Sequence, residues 1–381
     1  MRIALVYDVV YPFVPGGVQR RNHELARHLR NRHDVALYGF RSWDAAGTGC
    51  LPGCRYVSVG EPVPLHDGRG RRRLAEALTF GLQLLGPLAR SGEEVWDVAN
   101  FPFFSIPVAW LVSRLKGRAL VVTWHEYWGG YWDERLGRLG FLGRALERAC
   151  LALSPTIVAV SEHTRRRMAS AGVDPGKVHV VPNGIDLEEI AGAPPAAERS
   201  DLIWVGRLIP HKNAELALRA FAIVRRERPE LRLLVVGDGP ERARLEGLAA
   251  TLGIVSSVRF AGFVESSTEV YGLMKSSRLL LAPHRKEGFG ITVVEGWGCG
   301  IPAVVCREAQ SALPDLVDEP VKGRVAEPAP EAVAAACLEL LDATSDSGRA
   351  ALVERAAAFD WERVAEQLEA VYREAAVRSR R

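Results

Sequence analysis

The sequence lacks several features that would have settled its class at once. No apolar run approaches the roughly 18 residues of a membrane-spanning helix. Formal net charge is only +3, so no whole-chain field points to nucleic acid. The six cysteines, at 50, 54, 150, 299, 306 and 337, include one close pair, Cys50 and Cys54. No second His or Cys pair completes a metal-binding spacing around it. Reduced thiols and no metal site are expected. The opening run "MRIALVYDVVYPF" meets Asp8 early and has no cleavage region of the export type, so it reads as a first β-strand. A cytoplasmic protein is expected, with association at the inner face of the membrane as a further expectation.

What is present is a chain of 381 residues, 48% hydrophobic and 25% charged, enough for two packed cores. Short β-branched runs alternate with longer amphipathic stretches, the pattern of parallel sheets with crossover helices. Strands are expected within 2–9, 34–40, 97–101, 119–125 and 156–161, and a helix over 19–32. The loose stretch 188–200, "EEIAGAPPAAERS" without its neighbours, is rich in Ala, Pro and Gly and reads as a linker. The alternation then restarts, with strands within 201–207, 231–239, 258–264, 278–284 and 302–306 and helices over 214–228 and 241–253. The expected division is residues 1–187, 188–360 and a closing helix within 361–381 that packs back on the first domain. Ligands of such sheets bind beyond the carboxyl ends of the strands, and two facing domains are expected to enclose a cleft.

The segment "HRKEGFGITVVEGWGCGIP" (284–302) follows one such strand end. A helix beginning near Phe289 or Gly290 offers free N–H groups to an anion, and Gly288 and Gly290 let a phosphate approach the backbone. Glu287 precedes the helix and Glu295 lies two turns into it. A carboxylate accepts two hydrogen bonds from a vicinal diol, which suits sugar or ribose hydroxyls. "VGRLIPHKN" (205–213) offers Arg207 and Lys212, a fork and a point charge suited to a diphosphate. Gly16 and Gly17 form a glycine turn between the first strand and its helix. "GDGP" (237–240) lacks the third glycine of a dinucleotide loop and reads as a strand-to-helix turn.

Taken in order, "PGGVQRRNHELARHL", "VVTWHEYWGGYW", "VVPNGID", "VGRLIPHKN", "GDGPERARLEGLA", "EGFGITVVEGWGCGIP" and "FDWERVAEQLEAVY" resemble the retaining glycosyltransferases of family 4, over nearly the whole chain. The resemblance implies the GT-B fold, an α/β architecture of two Rossmann-like parallel-sheet domains, and a Glu-x7-Glu element at Glu287 and Glu295. It implies that Arg207 and Lys212 contact the diphosphate, and that Phe289 and Gly290 give N–H groups to phosphate, with Gly288 and Ile291 beside them. Glu295 would bind ribose, Glu287 the donor sugar, and the backbone at Val264 the base. Gly16 and Gly17 would touch the diphosphate from the first domain, and His125 the transferred sugar. The catalytic groups would be His125, Glu287, Arg207 and Lys212.

The implied reaction moves a hexose-type sugar, with retention and without metal or other cofactor, from a UDP- or GDP-sugar to a lipid-linked, glycan or small-molecule acceptor. Two readings compete: a nucleotide-sugar 2-epimerase of the same fold, and an inactive relative that binds nucleotide or glycan. The sequence departs from the family at Gly296 and Gly298, where Ala is usual, and in the loop 306–317, which has Pro314-Asp315 but no Gly-Gly turn. The aromatic cluster Trp124, Tyr127, Trp128, Tyr131 and Trp132 reads as core or as a wall of the acceptor site. Arg69, Arg71, Arg72 and Arg73 precede an apolar-rich helix candidate, a pattern that suits anionic lipid headgroups.

Overall fold

The computed structural model describes residues 1–14, 16–44, 47–65, 73–343 and 346–380. Arg69, Arg71 and Arg72 of the expected basic patch lie outside the described residues; Arg73 is exposed. The chain forms two compact units, Met1–Asn183 with Trp361–Arg381, and Gly184–Asp360.

The first unit is built on seven strands: β1 Arg2–Val6, β2 Asp34–Phe40, β3 Arg55–Gly60, β4 Val95–Ala99, β5 Ala119–Trp124, β6 Thr156–Ala159 and β7 Val178–Val180. They lie in the order β3-β2-β1-β4-β5-β6-β7, all parallel. The central strands are mostly apolar because helices cover both faces of a parallel sheet. Ile3, Ala4, Leu5 and Val6 are accordingly buried to the last atom or nearly so. The order reverses between β1 and β4, which opens a crevice at their carboxyl ends. Gly16 and Gly17 follow β1, and His125 follows β5 directly.

The closing helix, Trp361–Ser379, belongs to this first unit. Trp361, Val364, Ala365, Leu368, Tyr372 and Ala375 make one buried stripe at helical spacing, packed with Leu25 and Leu29 of helix Gly17–Leu29 and with Val121 of β5. The Tyr372 hydroxyl donates to Asp97 Oδ2 at 2.6 Å, and Thr123 Oγ1 donates to Asp97 Oδ1 at 2.6 Å. Arg21, 1% exposed, donates to the carbonyls of Val181 and Pro182 and to Asn183 Oδ1. The last residues of the unit's first segment are thus held by one buried guanidinium.

The second unit has six parallel strands: β8 Leu202–Val205, β9 Leu233–Val236, β10 Val258–Gly262, β11 Leu279–Ala282, β13 Ala303–Cys306 and β15 Gly323–Ala326, in the order β10-β9-β8-β11-β13-β15. The reversal falls between β8 and β11. Two further strands, β12 Lys286–Glu287 and β14 Gln310–Ser311, pair with each other outside the main sheet. All six cysteines are free. Among the described residues no helix is long and apolar enough to cross a membrane.

The linker expected over 188–200 is corrected. Its first part is a helix, Leu187–Gly192, capped by Asp186, whose carboxylate accepts from the Glu189 N–H at 2.8 Å. The remainder is fastened to helix Ser267–Lys275 by backbone bonds from Ala196 to Gly272 and from Ser200 to Ser276. The Ala-Pro-Gly composition masked an aspartate cap whose helix buries Ile190.

Candidate functional site

In the second unit, three side chains converge where β11 leaves the sheet. Lys212 Nζ lies 2.5 Å from Glu287 Oε2, and His284 Nδ1 lies 3.0 Å from the same oxygen. Lys212 ends the tight turn Pro210–Lys212, and Asn213 follows with φ 53°, a left-handed conformation that asparagine tolerates. The Arg285 N–H donates to the His211 carbonyl at 2.9 Å, which fastens the β11 loop to that turn. The pairing of β12 with β14 and the bond from the Ala312 N–H to the Glu287 carbonyl, 2.8 Å, fix the Glu287 backbone from the other side. The loop after Cys306, atypical by comparison with the family, is therefore the strap that holds Glu287.

Burial opposes ionisation of Glu287, but the Lys212 ammonium and the His284 hydrogen bond outweigh it and hold the carboxyl well below its usual range. Burial, then the Lys212 charge, drives His284 down to about 4, with Glu287 opposing. His284 is therefore a neutral imidazole at pH 7. Its proton belongs on Nδ1, since an unprotonated Nδ1 would face a carboxylate oxygen.

Beyond Glu287 the backbone turns through Gly288 and Phe289 to Gly290, where φ is 108°. A Cβ at Gly290 would stand 2.2 Å from Leu313 Cδ2, so only glycine fits. Helix Ile291–Gly298 starts there, and Gly290 provides no side-chain cap. The N–H groups of Val293 and Val294 donate to the Gly290 carbonyl, at 3.0 and 3.3 Å, and those of Ile291 and Thr292 precede the first intrahelical bonds. The Phe289 ring is buried against Phe359, 5.6 Å between centroids, so only its backbone is available to a ligand. Glu295 is one turn beyond Ile291 and buried, its Oε1 accepting from the Tyr271 hydroxyl at 3.1 Å. Arg207 is exposed just past β8, and Val264 is half-buried past β10 beside Phe263. All these positions lie at the carboxyl edge of one parallel sheet.

In the first unit, Gly16 and Gly17 are exposed at the start of helix Gly17–Leu29. His125 is half-buried, and its N–H donates to Asn100 Oδ1 at 3.1 Å. Its Nε2 is buried with no hydrogen-bond partner among the described residues. Burial, then the Arg21 charge, lowers its pKa to about 3, so it too is neutral. In the aromatic cluster, Trp124, Tyr127 and Trp132 belong to the core, with Trp128 packed against it. Trp128 and Tyr131 are half-buried. Glu147, wholly buried, accepts from the N–H of Trp128 at 2.7 Å, the N–H of Gly129 at 2.9 Å and Trp132 Nε1 at 3.2 Å.

The structure joins Lys212, His284 and Glu287 directly, gives Glu295 a separate partner, and puts Gly16, Gly17 and His125 in the other unit. Sequence reading missed His284, Tyr271 and Asn100. His284 had a signal, its place three residues before an acid on a strand-end loop. Tyr271, on another helix, had none.

Two family models match: "Glycosyltransferase Family 4" over residues 15–189 and "Glycosyl transferases group 1" over residues 188–359. The D-inositol 3-phosphate glycosyltransferase of Segniliparus rotundus is 31% identical over 312 residues, which cover 74% of this chain and 68% of that one. The GDP-mannose-dependent alpha-(1-6)-phosphatidylinositol dimannoside mannosyltransferase of Mycobacterium tuberculosis is 35% identical over 179 residues, 47% of this chain and 45% of its own length. Among solved structures, the Anabaena protein Alr3699/HepE in complex with UDP-glucose superposes with a TM-score of 0.72 at 19% identity, covering 98% of this chain and 100% of that one. With matches that run from residue 15 to residue 359 and two parallel-sheet units of the GT-B fold, the chain belongs to glycosyltransferase family 4.

Proposed function

We propose that the protein is a retaining transferase that moves a hexose-type sugar from a UDP- or GDP-sugar to a lipid-linked, glycan or small-molecule acceptor. The observation that carries this reading is the Lys212–His284–Glu287 cluster set one turn before a glycine-opened helix start. A cation, the backbone N–H groups of a helix start and an ionised carboxylate are what a diphosphate joined to a polyol requires. Arg207 and Lys212 neutralise the leaving diphosphate, and the N–H groups at Phe289, Gly290 and Ile291 receive phosphate oxygens. Glu295 takes the ribose hydroxyls and Glu287 the sugar hydroxyls, with the backbone at Val264 against the base. Gly16 and Gly17 are assigned to the diphosphate and His125 to the transferred sugar. The diphosphate oxygen that leaves accepts the acceptor's proton, and the reaction uses no metal. A relative named as GDP-mannose-dependent, and a neighbour crystallised with UDP-glucose, support a nucleotide-sugar donor.

The experiment is a thermal-shift panel of UDP, GDP, ADP and their common sugar conjugates on wild type and Glu295→Ala. Stabilisation by one nucleotide series, weakened in the variant, supports the reading; no response to any member overturns it.

The acceptor side includes contact with an anionic membrane surface. Helix Leu74–Arg90 exposes Leu74, Leu78, Leu82 and Leu85 on one face, and helix Ser105–Lys116, packed beside it, exposes Leu111 and Leu115. Apolar side chains with arginines before them suit the boundary between headgroups and acyl chains. Replacing Arg69, Arg71, Arg72 and Arg73 with serine is expected to weaken flotation with phosphatidylglycerol liposomes at low salt; unchanged binding rejects the contact.

A further inference from the structure

We propose that His284 is a positioning residue for Glu287, holding it so that one carboxylate oxygen is reserved for the donor sugar. This rests on the reading of Glu287 as the sugar contact. Both partners of Glu287, Lys212 Nζ and His284 Nδ1, lie on the same oxygen, Oε2. Oε1 keeps its acceptor capacity for hydroxyl groups. Two donors from different directions on one oxygen fix the rotation of the carboxylate, which a single flexible lysine does not do. The imidazole is itself rigidly seated: His284 is 1% exposed, and its N–H donates to the Ala282 carbonyl at 2.8 Å.

The imidazole also has a second, unused group. Its Nε2 is buried with no hydrogen-bond partner among the described residues. With the proton on Nδ1, Nε2 is an acceptor only, and a buried acceptor left unpaired costs stability. A buried histidine kept under that strain, where an apolar side chain would pack without it, marks a role for the Nδ1 donor.

The role separates from packing by comparing ligands with and without the sugar. Affinities of UDP, UDP-glucose, GDP and GDP-mannose are measured by titration calorimetry on wild type, His284→Phe, His284→Asn and Glu287→Ala. Phenylalanine keeps the ring and removes the donor. Asparagine keeps a donor at the δ position, where Nδ1 stands. The bare diphosphates report on the fold and on the phosphate site of each variant.

In His284→Phe the advantage of the conjugate over its bare diphosphate is expected to fall about tenfold. Bare UDP or GDP should bind as before, and His284→Asn should recover most of the loss. Equal weakening of conjugate and bare diphosphate, or an unchanged advantage, overturns the positioning role. An advantage that survives Glu287→Ala, or that wild type lacks for both sugars, overturns the parent reading of Glu287. An advantage lost in Glu287→Ala but kept in His284→Phe leaves that reading standing and removes only this inference.

Discussion

The Lys212 ammonium and the Glu287 carboxylate, 75 residues apart in the chain, meet at 2.5 Å at the carboxyl edge of the second sheet. The ion pair is mostly enclosed, with the lysine side chain 22% and the glutamate side chain 17% exposed. Enclosure weakens the hold of water on both charges and makes each dependent on the other.

Acid stability should follow from this pair and its histidine. Glu287 is depressed in the folded state, so its contribution is present above its unfolded value and lost as pH falls from there through the folded one. His284 is also depressed, to about 4 from 6.5. The unfolded chain therefore takes up a proton that folded His284 refuses, and stability falls as pH drops from 6.5 towards 4. His284→Phe is expected to remove up to about 3 kcal/mol of that pH dependence. Urea unfolding at pH 7 and pH 4.5 measures it; an identical slope in variant and wild type refutes it.

Gly290→Ala should damage both fold and ligand site. The left-handed φ of 108° and the 2.2 Å approach to Leu313 leave no room for a methyl group. A loss of at least about 2 kcal/mol in denaturant unfolding is expected. In thermal-shift titration, the response to nucleoside diphosphates should disappear.

Gly298→Ala should behave differently, because that glycine ends a helix and its Cβ would first meet the Cδ1 ends of Ile190 and Ile185, at 3.0 and 3.3 Å. The gain in helix propensity, about 1 kcal/mol, offsets the tight contact. Stability within about 1 kcal/mol of wild type is the expected outcome, read from the midpoint of urea unfolding.

Arg21→Met should cost about 3 kcal/mol, since two carbonyls and the Asn183 amide lose a buried donor together. Hydrogen exchange at Val181 and Asn183 should rise with it. Unchanged protection there would show that the guanidinium does not hold the segment.

Glu147→Gln tests the aromatic loop. A carboxylate accepts all three bonds from Trp128, Gly129 and Trp132, whereas an amide turns one acceptor into a donor facing N–H groups. A loss of about 2 kcal/mol is expected, with altered tryptophan fluorescence from the displaced rings.

The alternation of apolar runs and amphipathic stretches was enough to place the central strands and the main crossover helices. The strands are buried on both faces and the helices on one, so their apolar pattern reports their position. The edge strand β3 was missed because half of it faces solvent and no apolar run marks it. The two-residue strands β12 and β14 are too short to carry any periodicity. Helix Leu187–Gly192 hid behind linker-like composition, although Asp186 announced it.

By itself, the sequence determined the two α/β halves, the glycines that open the helix at Ile291 and the identity of the polar residues at strand ends. Local sterics and burial depend on residues near in the chain, and those are legible. Only the tertiary structure decided which polar groups share a proton or a charge. It brought Lys212 and His284 to the same oxygen of Glu287, gave Glu295 to Tyr271, and turned the loop after Cys306 into a strap. Those pairings follow from strand order and crossover geometry, which bring together residues that no local pattern connects.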